Sequence, residues 1–133
     1  MGAQSRSESM SGVTLDAGAL IGVERGSNRV RAVLAQYDEP RSVRVPAPVL
    51  AQVWRSASRQ AELHRFLANQ AVEVIAFTAS SGRAAGGLLA ASGATDVVDA
   101  SVVVCAWVRD DLVLTSDPTD LRRLDPSLRL IAV

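Results

Sequence analysis

Short apolar runs alternate along this chain with longer stretches whose apolar positions recur every three or four residues. Val13 to Leu15, Ser42 to Val45, Val72 to Phe77, Leu112 to Thr115 and Leu128 to Ala132 are short and rich in Val, Ile and Leu, as buried strands are. Between them lie helix patterns. One follows Asp16 and breaks near Gly26, and a second begins at the N-cap Ser27 and carries Val30, Val33 and Leu34 on one face. Pro48 suits the first turn of a helix bearing Val49, Leu50, Val53 and Trp54. Ser58 is the expected cap of the next helix, through Ala61, Leu63, Phe66 and Leu67. Thr78 opens an Ala- and Gly-rich helix that Gly93 ends, and its adjacent Gly86 and Gly87 suggest close packing against a neighbour. A helix from Asp96 to about Arg109 and a short one over Thr119 to Leu124 complete the series. Strands alternating with helices predict an α/β protein, three layers deep in α/β/α order, around a mostly parallel sheet.

The first twelve residues, MGAQSRSESMSG, lack any such period and read as a disordered tail. One domain is expected over 13–133, a length that can bury a conventional core. Hydrophobic residues make up 48% of the chain with few aromatics, so that core is built of Val, Leu, Ile and Ala.

Charge and cysteine content narrow the function. Formal net charge is zero, so no global field draws the protein to nucleic acid or lipid. All fourteen basic residues are arginine. The absence of lysine excludes P-loop, Schiff-base and receiver-type phosphotransfer chemistry. Cys105 is the single cysteine and lies in an apolar run, which excludes an intrachain disulfide or a thiolate zinc site. No apolar run is long enough to span a membrane and no signal-peptide segment is evident, so a cytoplasmic location is expected.

The chemistry is concentrated in aspartates at strand ends and helix starts. Asp16 follows the first strand, Asp96 and Asp99 open the long apolar helix, and Asp117 follows the fourth strand. Asp96 and Asp99 would share one helix face, separated by about 60° of rotation. Each acid taken alone is explained as an N-cap or a first-turn residue. Asp120 is best read as the cap of the short helix, and Asp110 and Asp111 as turn residues. A parallel sheet, however, carries the carboxyl ends of its strands to one edge, where Asp16 and Asp117 would meet the start of the Asp96 helix. Several carboxylates so placed repel one another unless a cation joins them. With oxygen donors only, that cation would be Mg²⁺ or Mn²⁺.

The segments LDAGALI, DVVDASVVVCAW and LVLTSDPTDL resemble the PIN domain, the nuclease fold of VapC-type toxins. The resemblance runs from Val13 to the C-terminus. Asp16 matches the family's acid after strand one, Asp99 with Ala100 its helix-opening DA, and Thr115 with Asp117 its T-x-D. The departure is Gln52 in VPAPVLAQVWR, where the family carries a glutamate. Asp96, one turn before Asp99, would supply the missing charge.

The resemblance implies hydrolysis of RNA phosphodiesters with a divalent cation held by Asp16, Asp96, Asp99 and Asp117. Thr115, Ser116 and Gln52 would orient these ligands or water, and Arg25, Arg55, Arg59 and Arg122 would contact substrate. It further implies a homodimer and a cognate antitoxin, for which the helix around Val49, Leu50, Val53 and Trp54 would wall a groove. The competing reading is a catalytically silent PIN-like binding module, which Gln52 favours. Trp54 is expected in packing and His64 on the surface.

Overall fold

The computed structural model describes residues 11–133. Five strands form one sheet: β1 (Val13–Leu15), β2 (Val43–Pro46), β3 (Val72–Ile75), β4 (Leu112–Thr115) and β5 (Leu130–Ala132). Their order is β3-β2-β1-β4-β5, and every neighbouring pair is parallel. Seven helices connect them: α1 (Ala17–Glu24), α2 (Asn28–Leu34), α3 (Ala47–Val53), α4 (Ala61–Ala68), α5 (Ala79–Ser92), α6 (Val97–Arg109) and α7 (Pro118–Leu124). The expected α/β architecture is therefore present, with a fully parallel sheet. From β1 the chain runs outward through β2 and β3, then returns to place β4 on the other side of β1. That reversal makes the β1–β4 crevice the topological switch point, where an open α/β sheet presents a cleft at the carboxyl ends of its strands.

Helix α6 is the centre of the molecule. Seven consecutive residues, Ala100 to Ala106, are buried, so the helix is enclosed on all sides. It packs on α5, α3 and α7 and against β1, β2 and β4. Val13, Leu15, Val45, Val113 and Leu114 are fully enclosed around it, as are its own Val102 and Val103. Because α6 is fixed on every side, its N-terminal acids are held at the sheet edge by the core itself. Among the described residues no single helix is long and apolar enough to cross a membrane.

Several local expectations change. Strand β3 ends at Ile75, before Phe77, and β5 begins at Leu130, because Leu128 N–H turns back to the Asp125 carbonyl. Helix α4 starts after Gln60 and not at Ser58. The buried Gln60 amide organises the preceding loop: its Oε1 accepts from the N–H groups of Arg55 at 2.6 Å and Ser56 at 3.0 Å, and its Nε2 donates to the Val53 carbonyl at 2.9 Å. Gly86 and Gly87 face open space, with no atom within 4 Å of where a Cβ would stand. Close packing is not what keeps them small.

Asp111 is no ordinary turn residue either. Its side chain is wholly enclosed, 0% exposed, and accepts from Arg44 Nη1 at 2.5 Å, Thr14 Oγ1 at 2.8 Å and Gly12 N–H at 3.0 Å. These bonds tie β2 and β4 to the strand between them. Thr14 Oγ1 also lies 3.5 Å from the buried Cys105 Sγ. The tail expected over 1–12 lies, through residue 10, outside the described residues.

Candidate active site

Three helices begin at the carboxyl edge of the sheet, and each is capped by an aspartate. Asp16 Oδ1 accepts from Ala19 N–H at 2.8 Å, Asp96 Oδ1 from Asp99 N–H at 3.0 Å, and Asp117 Oδ1 from Asp120 N–H at 3.3 Å. The sequence supports this locally, since aspartate is among the best N-cap residues and small or helix-compatible residues follow each one. The three helix N-termini bring positive ends of their dipoles to the same edge, each offsetting part of the anionic charge by about 0.3–1 kcal/mol. Capping and acid clustering are thus consequences of one arrangement.

Asp16 and Thr115 form the buried floor. Thr115 Oγ1 donates to Asp16 Oδ2 at 2.5 Å, and the same hydroxyl oxygen accepts from Asp117 N–H at 2.8 Å. The Ser116 backbone N–H also favours the charged form of the Asp16 carboxyl. Burial pushes the Asp16 carboxyl above the usual carboxylate range, and these hydrogen bonds oppose the rise. The β1 and β4 turns are in this way fastened to each other through one carboxylate.

Asp99 stands above this floor, half-buried on the first turn of α6. Its carboxyl is pushed up to about 6, first by burial and then by repulsion from Asp96, Asp120, Asp16 and Asp117. The five aspartates therefore share one electrostatic field. A polar cavity of about 390 Å³ opens beside them, lined by Gly93, Ala94, Thr95, Asp96, Asp99, Asp120, Arg123 and Leu124. Asp120 was expected to cap α7, but Asp117 does that. Asp120 lies instead in the first turn of α7 and borders the cavity. Its hydrogen bond with Asp117, ahead of that group's negative charge, raises its carboxyl pKa.

The remaining candidates lie apart from the cavity wall. Gln52 is exposed on α3. Arg25 is the exposed C-cap of α1, and Arg59 and Arg122 are exposed. Arg55 Nη1 folds back onto the carbonyls of Trp54 and Ala51, at 2.6 and 3.3 Å. Arg123 is the arginine that lines the cavity, and its charge lowers the Asp120 pKa. The signal for both was present in the sequence: Asp120 and Arg123 follow Asp117 at three-residue intervals, which one helical face brings together. Val49 and Val53 are core residues, whereas Leu50 and Trp54 line a shallow groove of about 410 Å³ with Ala47, Ala51 and Leu67. The Trp54 ring lies 6.1 Å from that of the exposed His64.

The donor chemistry fits a hard divalent cation: carboxylate oxygens of one sign, mutually repelling, at a polar cleft. Asp16, Asp96 and Asp117 each commit one oxygen to a helix cap and keep lone pairs free. Among the described residues, no three His, Cys, Asp or Glu side chains already converge as a metal-binding group. Side-chain rotation of the exposed acids would be needed to close such a set.

Comparison with known proteins bears on the family and the fold. The PIN domain family model matches residues 13–125. No curated protein sequence matches the chain. Among solved structures, the chain is similar to one from the Rickettsia felis VapBC2 complex bound to a promoter DNA fragment, with a TM-score of 0.72 and 18% identity over 91% of this chain and 98% of that one. It is also similar to one from a Klebsiella pneumoniae toxin–antitoxin complex, at TM-score 0.70, 14% identity, and 90% and 96% coverage. A third is from DNA-bound VapBC of Salmonella typhimurium, at TM-score 0.69, 15% identity, and 92% and 98% coverage. At such identities the likeness is one of fold, and the family match over most of the chain decides the assignment: this protein belongs to the PIN domain family.

Proposed function

We propose that this protein is a metal-dependent endoribonuclease of the toxin–antitoxin type. The observation that carries the reading is the position of Asp99, forced up to about 6 by burial and by four neighbouring aspartates at the switch point of the sheet. A carboxyl perturbed in this way at a cleft marks a candidate functional site, and a bound cation would relieve the repulsion. Asp16, Asp96, Asp99 and Asp117 would hold Mg²⁺ or Mn²⁺. The chemistry such a cation supplies when bound is Lewis acidity toward a phosphoryl oxygen and a lowered pKa for water.

The chain's own residues prepare that chemistry. Thr115 holds Asp16 in one orientation and, through the Asp117 N–H, fixes the start of α7. Asp120 and Arg123 border the cleft on its α7 side, where Arg123 offers a guanidinium to a phosphate. The cap of α6, with Asp99 N–H donating to Asp96 Oδ1, keeps these two acids from retreating from one another. Substrate contacts by Arg25, Arg55, Arg59 and Arg122 would have to come from exposed side chains that reach the RNA backbone outside this cavity.

The partner in this reading is a cognate antitoxin, lying in the groove of Ala47, Leu50, Ala51, Trp54 and Leu67. The similarity to chains of VapBC complexes supports that partner, and the same proposal takes the protein to be a homodimer acting in the cytoplasm. The test is chelator-sensitive cleavage of a structured RNA, lost in Asp16→Ala. Millimolar Mn²⁺ should also raise the melting temperature of the wild type by mass action, and Asp99→Asn should abolish that rise. RNA left intact, with no thermal response to Mn²⁺, would favour the second reading, a silent PIN-like binding module, to which the exposed Gln52 points.

A further inference from the structure

Gly18 lies in the first turn of α1, two residues after Asp16. A Cβ placed on it would stand 1.7 Å from Ser116 Oγ, 2.6 Å from Ser116 Cβ and 3.6 Å from Asp16 Oδ1. The hydroxyl could rotate away, but Ser116 Cβ could not without moving the backbone of the β4–α7 turn. That turn is the one clamped to Asp16 through Thr115 Oγ1, which also accepts from the Asp117 N–H. A helix favours Ala over Gly, by up to about 1 kcal/mol in its interior and less in its first turn, and the right-handed backbone at position 18 does not itself require glycine.

We propose that Gly18 is a positioning residue of the acidic edge: by leaving a notch that Ser116 fills, it lets the β4–α7 turn close onto Asp16 and sets the approach of Asp117 to Asp16. This rests on the metal-site reading of those acids and adds a determinant outside the acids themselves. Ser116 takes part through the fit of its side chain in the notch. A methyl group at position 18 would lift the turn, loosening the Thr115 hydrogen bond to Asp16 and moving Asp117 away from Asp16.

The test is a cycle of Gly18→Ala, Ser116→Gly and the double variant, with Mn²⁺ affinity measured by titration calorimetry and melting temperature measured without metal. Gly18→Ala should weaken Mn²⁺ binding about tenfold or more, the loss typical when the support of a metal ligand is disturbed. It should also lower the metal-free melting temperature, against the helix preference. Ser116→Gly alone should bind Mn²⁺ nearly as the wild type does, and the double variant should recover most of the lost affinity. Ser116→Ala, which keeps the offending Cβ, should rescue far less. A Gly18→Ala chain that folds only with Ser116→Gly present would equally support the proposal. Wild-type affinity in Gly18→Ala, or a double variant no better than Gly18→Ala, would overturn it. Absence of Mn²⁺ binding by the wild type would instead overturn the metal reading on which it rests.

Discussion

Thr115 and Asp16, 99 positions apart in the chain, are joined by a 2.5 Å hydrogen bond between the ends of adjacent parallel strands, Oγ1 donating to Oδ2. Thr115 is fully buried and Asp16 nearly so. Thr115→Val keeps the shape and β-branching but leaves that carboxylate oxygen without its donor. The expected loss is about 1–3 kcal/mol, read from urea denaturation. Thr115→Ser should retain most of the stability, because the hydroxyl is preserved.

The raised pKa of Asp99 makes stability depend on pH with a definite sign. The folded state binds the Asp99 proton more tightly than the unfolded chain does. The contribution is therefore fully present below the ordinary value of 3.8 and is lost as pH rises through about 6. At neutral pH and without metal, Asp99→Asn should be more stable than the wild type, on the order of 1 kcal/mol once solvent screening is allowed for. The difference should shrink toward zero at pH 4. A variant less stable than the wild type at pH 7 would favour simple dipole stabilisation of the acid.

Divalent-metal affinity should follow the same group. A cation competes with the proton on Asp99, so Mn²⁺ binding should strengthen as pH rises toward about 6 and level off above it. Calorimetric titrations at several pH values check this. A flat profile through that range would remove Asp99 from the ligand set.

The Arg44–Asp111 pair lies in the core, with Arg44 16% exposed and Asp111 wholly enclosed. Removing one partner leaves a buried charge uncompensated. Asp111→Ala should cost about 3–5 kcal/mol in chemical denaturation. The pair holds the centre of the sheet, so the lost stability should appear as a lower midpoint of one cooperative transition.

Gly86 and Gly87 sit in the interior of α5 with nothing opposite them. Replacing either by Ala should stabilise the isolated protein by about 0.5–1 kcal/mol, through restored helix propensity. Thermal denaturation of the single variants tests it. A destabilised variant would show that the helix packs differently.

The order of elements, the α/β class and the helix caps at Asp16, Ser27, Thr78 and Asp96 were all legible in the sequence. Each depends on residues within about one helical turn of one another: a side-chain oxygen two or three positions ahead of an N–H, or an apolar period. Gly93, left-handed at φ 75°, ends α5 for the same local reason. The resemblance in LDAGALI, DVVDASVVVCAW and LVLTSDPTDL pointed to the same acids. Other features depended on which strands become neighbours. Placing β4 beside β1 joins Thr115 to Asp16, closes Arg44 on Asp111 and presses Ser116 into the notch at Gly18. The packing of α7 likewise chose Asp120 and Arg123, and not Arg122, to face the acidic cleft. Local chemistry wrote the caps and the elements, whereas contacts across 60 to 100 residues of chain exist only once the sheet order is fixed, and those contacts bring separate capping aspartates to one edge of the sheet.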